Sequence, residues 1–269
     1  MQSMIKKELK EYITITNILI IIIGSLAPTL YILSQANNQT YLHWLGLYSN
    51  SVGSFQALLF PLFIVILTIP KLSTKLSNKF ISYVRIRKNI YQYLGATMLS
   101  NAIIVFVGSF LLVFIPFIIT YYIVPIFGLI GYQPESMGLN TVAAINNDIA
   151  TNDALSFLIN VSPLFYAIVY AAWVGFNGIL WYVVSWCLLI IKNNIFLALS
   201  IPFVVYQIAH FLFSLLGVPQ FGSLISIFPF NFEKVPVWNM LLFPMLLIVG
   251  VISMLIYIYK NIEKMDSLS

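Results

Sequence analysis

The chain has 269 residues, 61% of them hydrophobic and 8% charged, with a mean hydropathy of +0.96 and a formal net charge of +5. A soluble domain carries about 25% charged residues, so this composition excludes a water-soluble globular protein and assigns much of the surface to lipid. The excess of cations is no sign of nucleic-acid binding, because in a membrane protein their distribution matters more than their sum.

A membrane-spanning helix needs about 20 apolar residues, since the hydrocarbon core is about 30 Å thick and each residue rises 1.5 Å. In chain order, six segments qualify: 12–33, 52–69, 95–127, 161–191, 195–216 and 237–259. None contains Asp, Glu, Lys or Arg. The expected fold is therefore all-α, a single polytopic membrane domain. Its outer loops are 34–51, 128–160 and 217–236, and its one sizeable loop on the opposite side is 70–94. The first run is long enough to span, which is unlike a cleavable signal peptide. The third run is expected to be broken by Pro116 and Pro125, and the third and fourth exceed the bilayer thickness, so they tilt, kink or project. A hairpin is an alternative within 161–191. In that run Ala167, Ala171 and Gly175 recur every four residues, a spacing that lets helices approach closely.

Orientation follows from the cations. Placing the N-terminus inside puts twelve of the thirteen Lys and Arg residues on the inner side and leaves only Lys234 outside. That is a clear positive-inside distribution, with both termini cytoplasmic. Trp and Tyr near the span ends, such as Tyr12, Tyr31, Trp44, Trp238, Tyr257 and Tyr259, match headgroup-level aromatic belts.

The chemistry excluded is broad. No span holds a carboxylate, which disfavours ion-coupled transport. His210, in the fifth span, reads as a packing residue rather than a proton relay. His43 stands beside Trp44 without a Cys or acidic cluster and is not expected to bind metal. Cys187 lies in an apolar run and reads as a core residue. There is no HExxH, no GxSxG and no GxxxxGK[ST]. The chain is thus not expected to be an enzyme or to bind ATP. The sequons at Asn38 and Asn160 read as chance, because the Ile-, Asn- and Lys-rich usage looks bacterial. The expected location is a bacterial plasma membrane.

The loop 70–94 carries six cations and no acid: Lys71, Lys75, Lys79, Arg85, Arg87 and Lys88. Pro70 is expected to end the second span, and Ser73 and Thr74 to cap a new helix. Leu72, Leu76, Phe80 and Tyr83 follow helical spacing on one face. Two readings apply together. The cations hold the loop inside against anionic lipid, and the apolar face docks on a cytoplasmic protein.

Three stretches give the chain a family resemblance. "MIKKELKEYITITNILI" is similar to a cytoplasmic amphipathic lead-in. "NKFISYVRIRKNIYQYLGATMLSN" is similar to a basic, aromatic passage into a third span. "FGSLISIFPFNFEKVPVWN" is similar to an outer re-entrant hairpin. Together they resemble the permease subunits of ABC-2 type (type V exporter-like) ABC transporters, in the bacterial peptide- and antibiotic-related branch. One departure is Pro70-Lys71, where many members carry Glu. The resemblance implies a half-transporter that pairs with a second permease, identical or different. It also implies a separate cytoplasmic P-loop ATPase that binds ATP and Mg. Leu76, Phe80 and Tyr83 would form the ATPase-coupling face, while Lys75, Lys79, Arg85, Arg87 and Lys88 would anchor the segment at the lipid surface. Phe228, Pro229, Phe230 and Phe232 would belong to the re-entrant segment; the alternative is an interfacial loop on lipid. The polar loop 128–160 is expected to be solvated; the alternative is a cover over the exit.

Spans rich in Phe and Tyr suit a hydrophobic or amphipathic cargo: a peptide or bacteriocin, an antibiotic or a lipid. The alternative function is a non-transporting anchor or an immunity protein that binds a membrane-active toxin.

Overall fold

Backbone polar groups have no water to bond with in the hydrocarbon core, so a chain this apolar satisfies them within helices. The computed structural model describes residues 2–35, 41–77, 89–152, 155–229 and 236–262, and within them the fold is all-α. Six helical stretches are long and apolar enough to cross a membrane: Ile15–Gln35, Phe55–Ser77, Ile90–Phe127, Pro163–Lys192, Ile195–Leu215 and Val237–Asn261. The protein is an integral, multi-pass membrane protein.

The chain opens with α1 (Gln2–Tyr12), then α2 (Ile15–Gln35), α3 (Trp44–Gly53) and α4 (Phe55–Ile66). Pro70 does not end the second helical stretch. After a two-residue break, α5 (Ile69–Ser77) begins, with Pro70 in its first turn, where a missing N–H costs nothing. Ser73 and Thr74 consequently lie inside α5 rather than capping it, and Thr74 Oγ1 bonds back to the Pro70 carbonyl at 3.0 Å.

Next comes α6 (Ile90–Ile118), capped by Asn89, whose side chain accepts the Tyr91 N–H at 2.9 Å. Neither proline breaks the stretch. A π-helical turn, Ile119–Ile123, follows Pro116 and leads into α7 (Val124–Phe127), which has Pro125 in its first turn. Gly128, at φ 59°, then ends the helix in the left-handed region that suits glycine.

The segment after Gly128 is ordered by local structure: a 3-10 turn at Pro134–Met137, α8 (Val142–Asn152) and a second 3-10 turn at Ser156–Asn160. Helix α9 (Pro163–Lys192) is one uninterrupted helix with no hairpin. Its turn into α10 (Ile195–Leu215) takes two residues. Asn193 adopts φ 46°, and Asn194 Oδ1 accepts the N–H groups of Phe196 and Leu197. A 3-10 turn at Pro219–Phe221, a short α11 (Ser223–Ile227) and α12 (Val237–Asn261) complete the described chain.

Helix α9 is the hub. It packs on α6 most extensively and also on α4, α10 and α12, and 72% of its most apolar window is buried, against 17% for α10 and 22% for α12. The contact with α6 is close because two glycines face it. A Cβ on Gly175 would lie 2.8 Å from the Phe106 ring and 3.2 Å from the Phe106 carbonyl oxygen, and one on Gly178 would meet Ser109 and Ile64. Ala167 and Ala171 continue the same face and are fully buried.

Side-chain bonds to the backbone of neighbouring helices add direction. Gln56 donates to the Gly24 carbonyl at 2.9 Å, Tyr206 to Ala57 at 2.7 Å, Gln207 to Leu58 at 2.7 Å, and Trp173 to Ser226 at 3.0 Å. Lipid tails are as apolar as leucine, so close packing and such bonds hold the helices together in place of hydrophobic burial.

Gly178→Val should therefore lower the bundle's stability by about 1–3 kcal/mol, the usual effect of overpacking. A Cβ at Gly250 meets nothing within 4 Å, so Gly250→Ala should leave stability unchanged or slightly higher. Thermal melting of both variants in one detergent checks the contrast.

Candidate functional site: the α1–α5 junction

Two carboxylates in α1, Glu8 and Glu11, lie three residues apart and so share one helix face. Between them sits the Lys75 ammonium of α5, 2.8 Å from Glu8 Oε2 and 2.9 Å from Glu11 Oε2. The Lys75 side chain is 15% exposed and that of Glu8 is 9% exposed. Lys71, one turn earlier, donates to the Glu11 carbonyl oxygen. Both ammonium groups lie over the Tyr12 ring, at 4.8 Å for Lys71 and 5.4 Å for Lys75, a cation–π geometry that favours a partly desolvated cation.

The bend after α1 is tied to the break between α4 and α5. The Asn17 amide donates to the Tyr12 carbonyl at 2.8 Å and to the Leu67 carbonyl at 2.9 Å. Leu67 is where α4 ends, so one side chain serves a helix terminus on each of two elements. Helix α1 packs on α6, where the buried Tyr12 hydroxyl neighbours Asn101, which also neighbours the Tyr182 hydroxyl of α9. These groups come close without reaching hydrogen-bond geometry.

The Lys75 ammonium holds the Glu11 carboxyl below the usual carboxylate range, against the opposing effect of burial. Glu11 accordingly contributes to this junction above the ordinary carboxylate pKa, and the contribution is lost as pH falls through its lowered value.

The structure moves two residues of the expected coupling loop inward. Leu76 is 3% exposed, on an α5 that packs against α9 and α10, so in this chain it is a core residue rather than a docking residue. Lys75 faces Glu8 and Glu11, so its charge is neutralised within the chain instead of being offered to lipid. Phe80, Tyr83, Lys79, Arg85, Arg87 and Lys88 lie outside the described residues. The junction residues that sequence reasoning missed are Glu8, Glu11, Asn17 and Asn101. Their signal was a Glu-x-x-Glu pair on an amphipathic lead-in and single asparagines in apolar runs.

At the opposite end, the segment after α10 folds back into the bundle. Ser223 Oγ donates to the Tyr206 carbonyl at 2.5 Å. Tyr206 lies nine residues before the end of α10, which places α11 about 13 Å along that helix. Phe228 is 2% exposed and packs edge-on against Phe60 at 5.3 Å, and Pro229 is also buried. Phe230 and Phe232 lie outside the described residues. His210 abuts this segment, with its Nδ1 beside Gly222. Nearer the surface, His43 Nε2 lies 3.5 Å from Asp148 Oδ2 on α8. Burial pushes the imidazole below its usual range, and the carboxylate opposes that shift. Among the described residues, no cluster of His, Cys, Asp and Glu is suited to hold a metal. Cys187 is buried and free.

No protein-family model matches this chain, and neither a curated protein nor a solved structure matches it significantly.

Lys75→Ala should detach α1, because it leaves two carboxylates facing each other without their cation. Lys75→Glu combined with Glu8→Lys should restore much of the contact. A spin label on the exposed Lys7 position checks this, since its mobility rises when α1 is released. The same label should loosen in the unmodified protein as pH falls below the ordinary carboxylate range, through the lowered value of Glu11, and stay ordered at neutral pH.

Proposed function

We propose that the chain is the permease subunit of an ATP-driven exporter in a bacterial plasma membrane, with both termini cytoplasmic. The observation that carries this reading is the α1–α5 junction. It is a charged interfacial helix pair, tied by Lys75, Lys71 and Asn17 to two long helical stretches, at the end of the bundle where the sequence gathers its cations. Such a platform can receive a push from a cytoplasmic partner without a charge inside the spans. The chain has no phosphate-binding loop of its own, so the energy comes from a separate P-loop ATPase, which binds ATP and Mg. A second permease subunit, the same or different, completes the path.

Phe80 and Tyr83, on the loop beyond α5, are the coupling contacts in this reading. Lys79, Arg85, Arg87 and Lys88 hold that loop at the lipid surface. At the opposite end α11 supports the reading, because irregular backbone at membrane depth is tolerated where protein buries it or a cavity adjoins it. The cargo is hydrophobic or amphipathic: a membrane-active peptide, an antibiotic or a lipid.

The test is purification of the tagged chain from its own host in mild detergent, with mass-spectrometric identification of what accompanies it. The expected result is a P-loop ATPase in roughly equal amount, lost on Phe80→Asp with Tyr83→Asp while the melting temperature is unchanged. Intact protein without any ATPase would sink the transport reading, and the chain would then be an anchor or an immunity protein.

A further inference from the structure

Helix α1 separates its charges by face. Glu8 and Glu11 turn toward the bundle, where Lys75 neutralises both. The three cations of the helix, Lys6, Lys7 and Lys10, are exposed. At about 100° per residue they share one side of α1, roughly opposite the two acids and Tyr12. Among the described residues, no carboxylate forms an ion pair with any of the three. A helix whose sequence holds three Lys and two Glu therefore presents three uncompensated positive charges outward.

The surface next to these lysines belongs to lipid. The Ile13 N–H bonds the Leu9 carbonyl at 3.1 Å, so the helical turn runs one residue past Tyr12. Ile13 follows Lys10 by three residues and Lys6 by seven, which puts it on their side of the helix. It stands about 4.5 Å along the axis from Lys10. Ile13 is 66% exposed, and Ile15, Ile18 and Leu19 carry the exposed apolar surface into the span α2. Lys10 thus lies well within one Debye length of the lipid boundary, about 8 Å at physiological ionic strength.

We propose that the outward face of α1 binds the headgroups of anionic phospholipids in the leaflet at the bundle's basic end. Ile13 sits in the acyl region, and the ammonium groups of Lys6, Lys7 and Lys10 reach the phosphates on flexible apolar stems. The occupant is lipid rather than an acidic protein, because the apolar surface that continues from the lysines is the wall of a membrane span. Lys75 contributes indirectly. By drawing Glu8 and Glu11 toward the bundle it keeps both carboxylates away from the phosphates, so the ion pairs that dock α1 also make its outer face attractive to anionic lipid. The site does not depend on the transport reading.

Lysine acetylation by an uncharged reagent, read residue by residue by mass spectrometry, tests this on the full chain. The protein is placed in nanodiscs of phosphatidylglycerol or of phosphatidylcholine with identical acyl chains. An ammonium group held on a phosphate loses its proton less readily and so reacts more slowly. Lys6, Lys7 and Lys10 should each react about fivefold more slowly in phosphatidylglycerol, the factor that one lysine near an anionic surface supplies. The difference should vanish in about 1 M salt, where the screening length falls to about 3 Å. Lys75, held between its two carboxylates, should react slowly in both lipids and serves as the internal reference. Equal rates for the three lysines in the two lipids would overturn the proposal, and so would protection that survives 1 M salt. Protection in phosphatidylcholine that appears only when an acidic protein accompanies the chain would make that protein the occupant, and this too would overturn it.

Discussion

In lipid, helices gain little by hiding apolar side chains from surroundings that are equally apolar, and this constraint explains most of the structure. What remains to hold six spans together is close packing and the bonds polar groups make when no water is at hand. Both converge on α9. Gly175 and Gly178 bring its backbone against α6, and its Trp173 bonds the backbone of α11. Three further polar side chains do the same: Gln56 reaches α2, and Tyr206 and Gln207 reach α4, each ending on a carbonyl of another helix. A carbonyl already bonded within its helix still has a second lone pair, so these contacts join helices without breaking either one.

Charge obeys the complementary rule. With the spans free of Asp and Glu and of all but end-positioned cations, the ionic interactions concentrate at one end of the bundle. There Lys75 sits between two carboxylates and over an aromatic ring. An ammonium with that little exposure needs such compensation, since desolvation alone would favour its neutral form. The arrangement makes α1 part of the bundle rather than a trailing segment. The polar side chains of Tyr12, Asn101 and Tyr182 beneath it, close together without a hydrogen bond, extend the contact toward α9.

The six spans were legible in the sequence because length and apolarity act locally. The misreadings share a physical origin. Pro70 was read as a stop signal, yet in a helix's first turn proline lacks only a bond that position never makes. Lys75 and Leu76 were read by composition as surface groups, but the carboxylates that neutralise Lys75 lie more than sixty residues earlier in the chain, a partnership that no local pattern reveals. Asn17 and Gln56 were not legible as ties, because a single uncharged amide in an apolar run carries no local pattern, yet in lipid it serves well as an interhelical bond. The 30-residue α9 hides no hairpin; it is one continuous helix that ends at the turn through Asn193 and Asn194.

These contacts also connect the two ends. Helices α4 and α5, separated by a two-residue break, carry polar ties near both extremities. Near the α11 end, the Ala57 and Leu58 carbonyls accept Tyr206 and Gln207. Near the basic end, the Leu67 carbonyl accepts Asn17, and Lys75 meets Glu8 and Glu11. Tyr206 in turn holds Ser223 of α11 through its carbonyl. A shift of α1 therefore acts on α5 through an ion pair and on α4 through a backbone bond, and α4 bears directly on the helix that supports α11. Contact alone does not make a coupling route; that requires an element with two arrangements which both ends bias. The break at Leu67 and Thr68 is the place in this route where backbone geometry can change while the helices on either side stay intact, because the hydrogen-bond ladder is already interrupted there. Asn17 bonds the Leu67 carbonyl at that break, so the residue that ties the end of α1 to the bundle also binds the junction between α4 and α5.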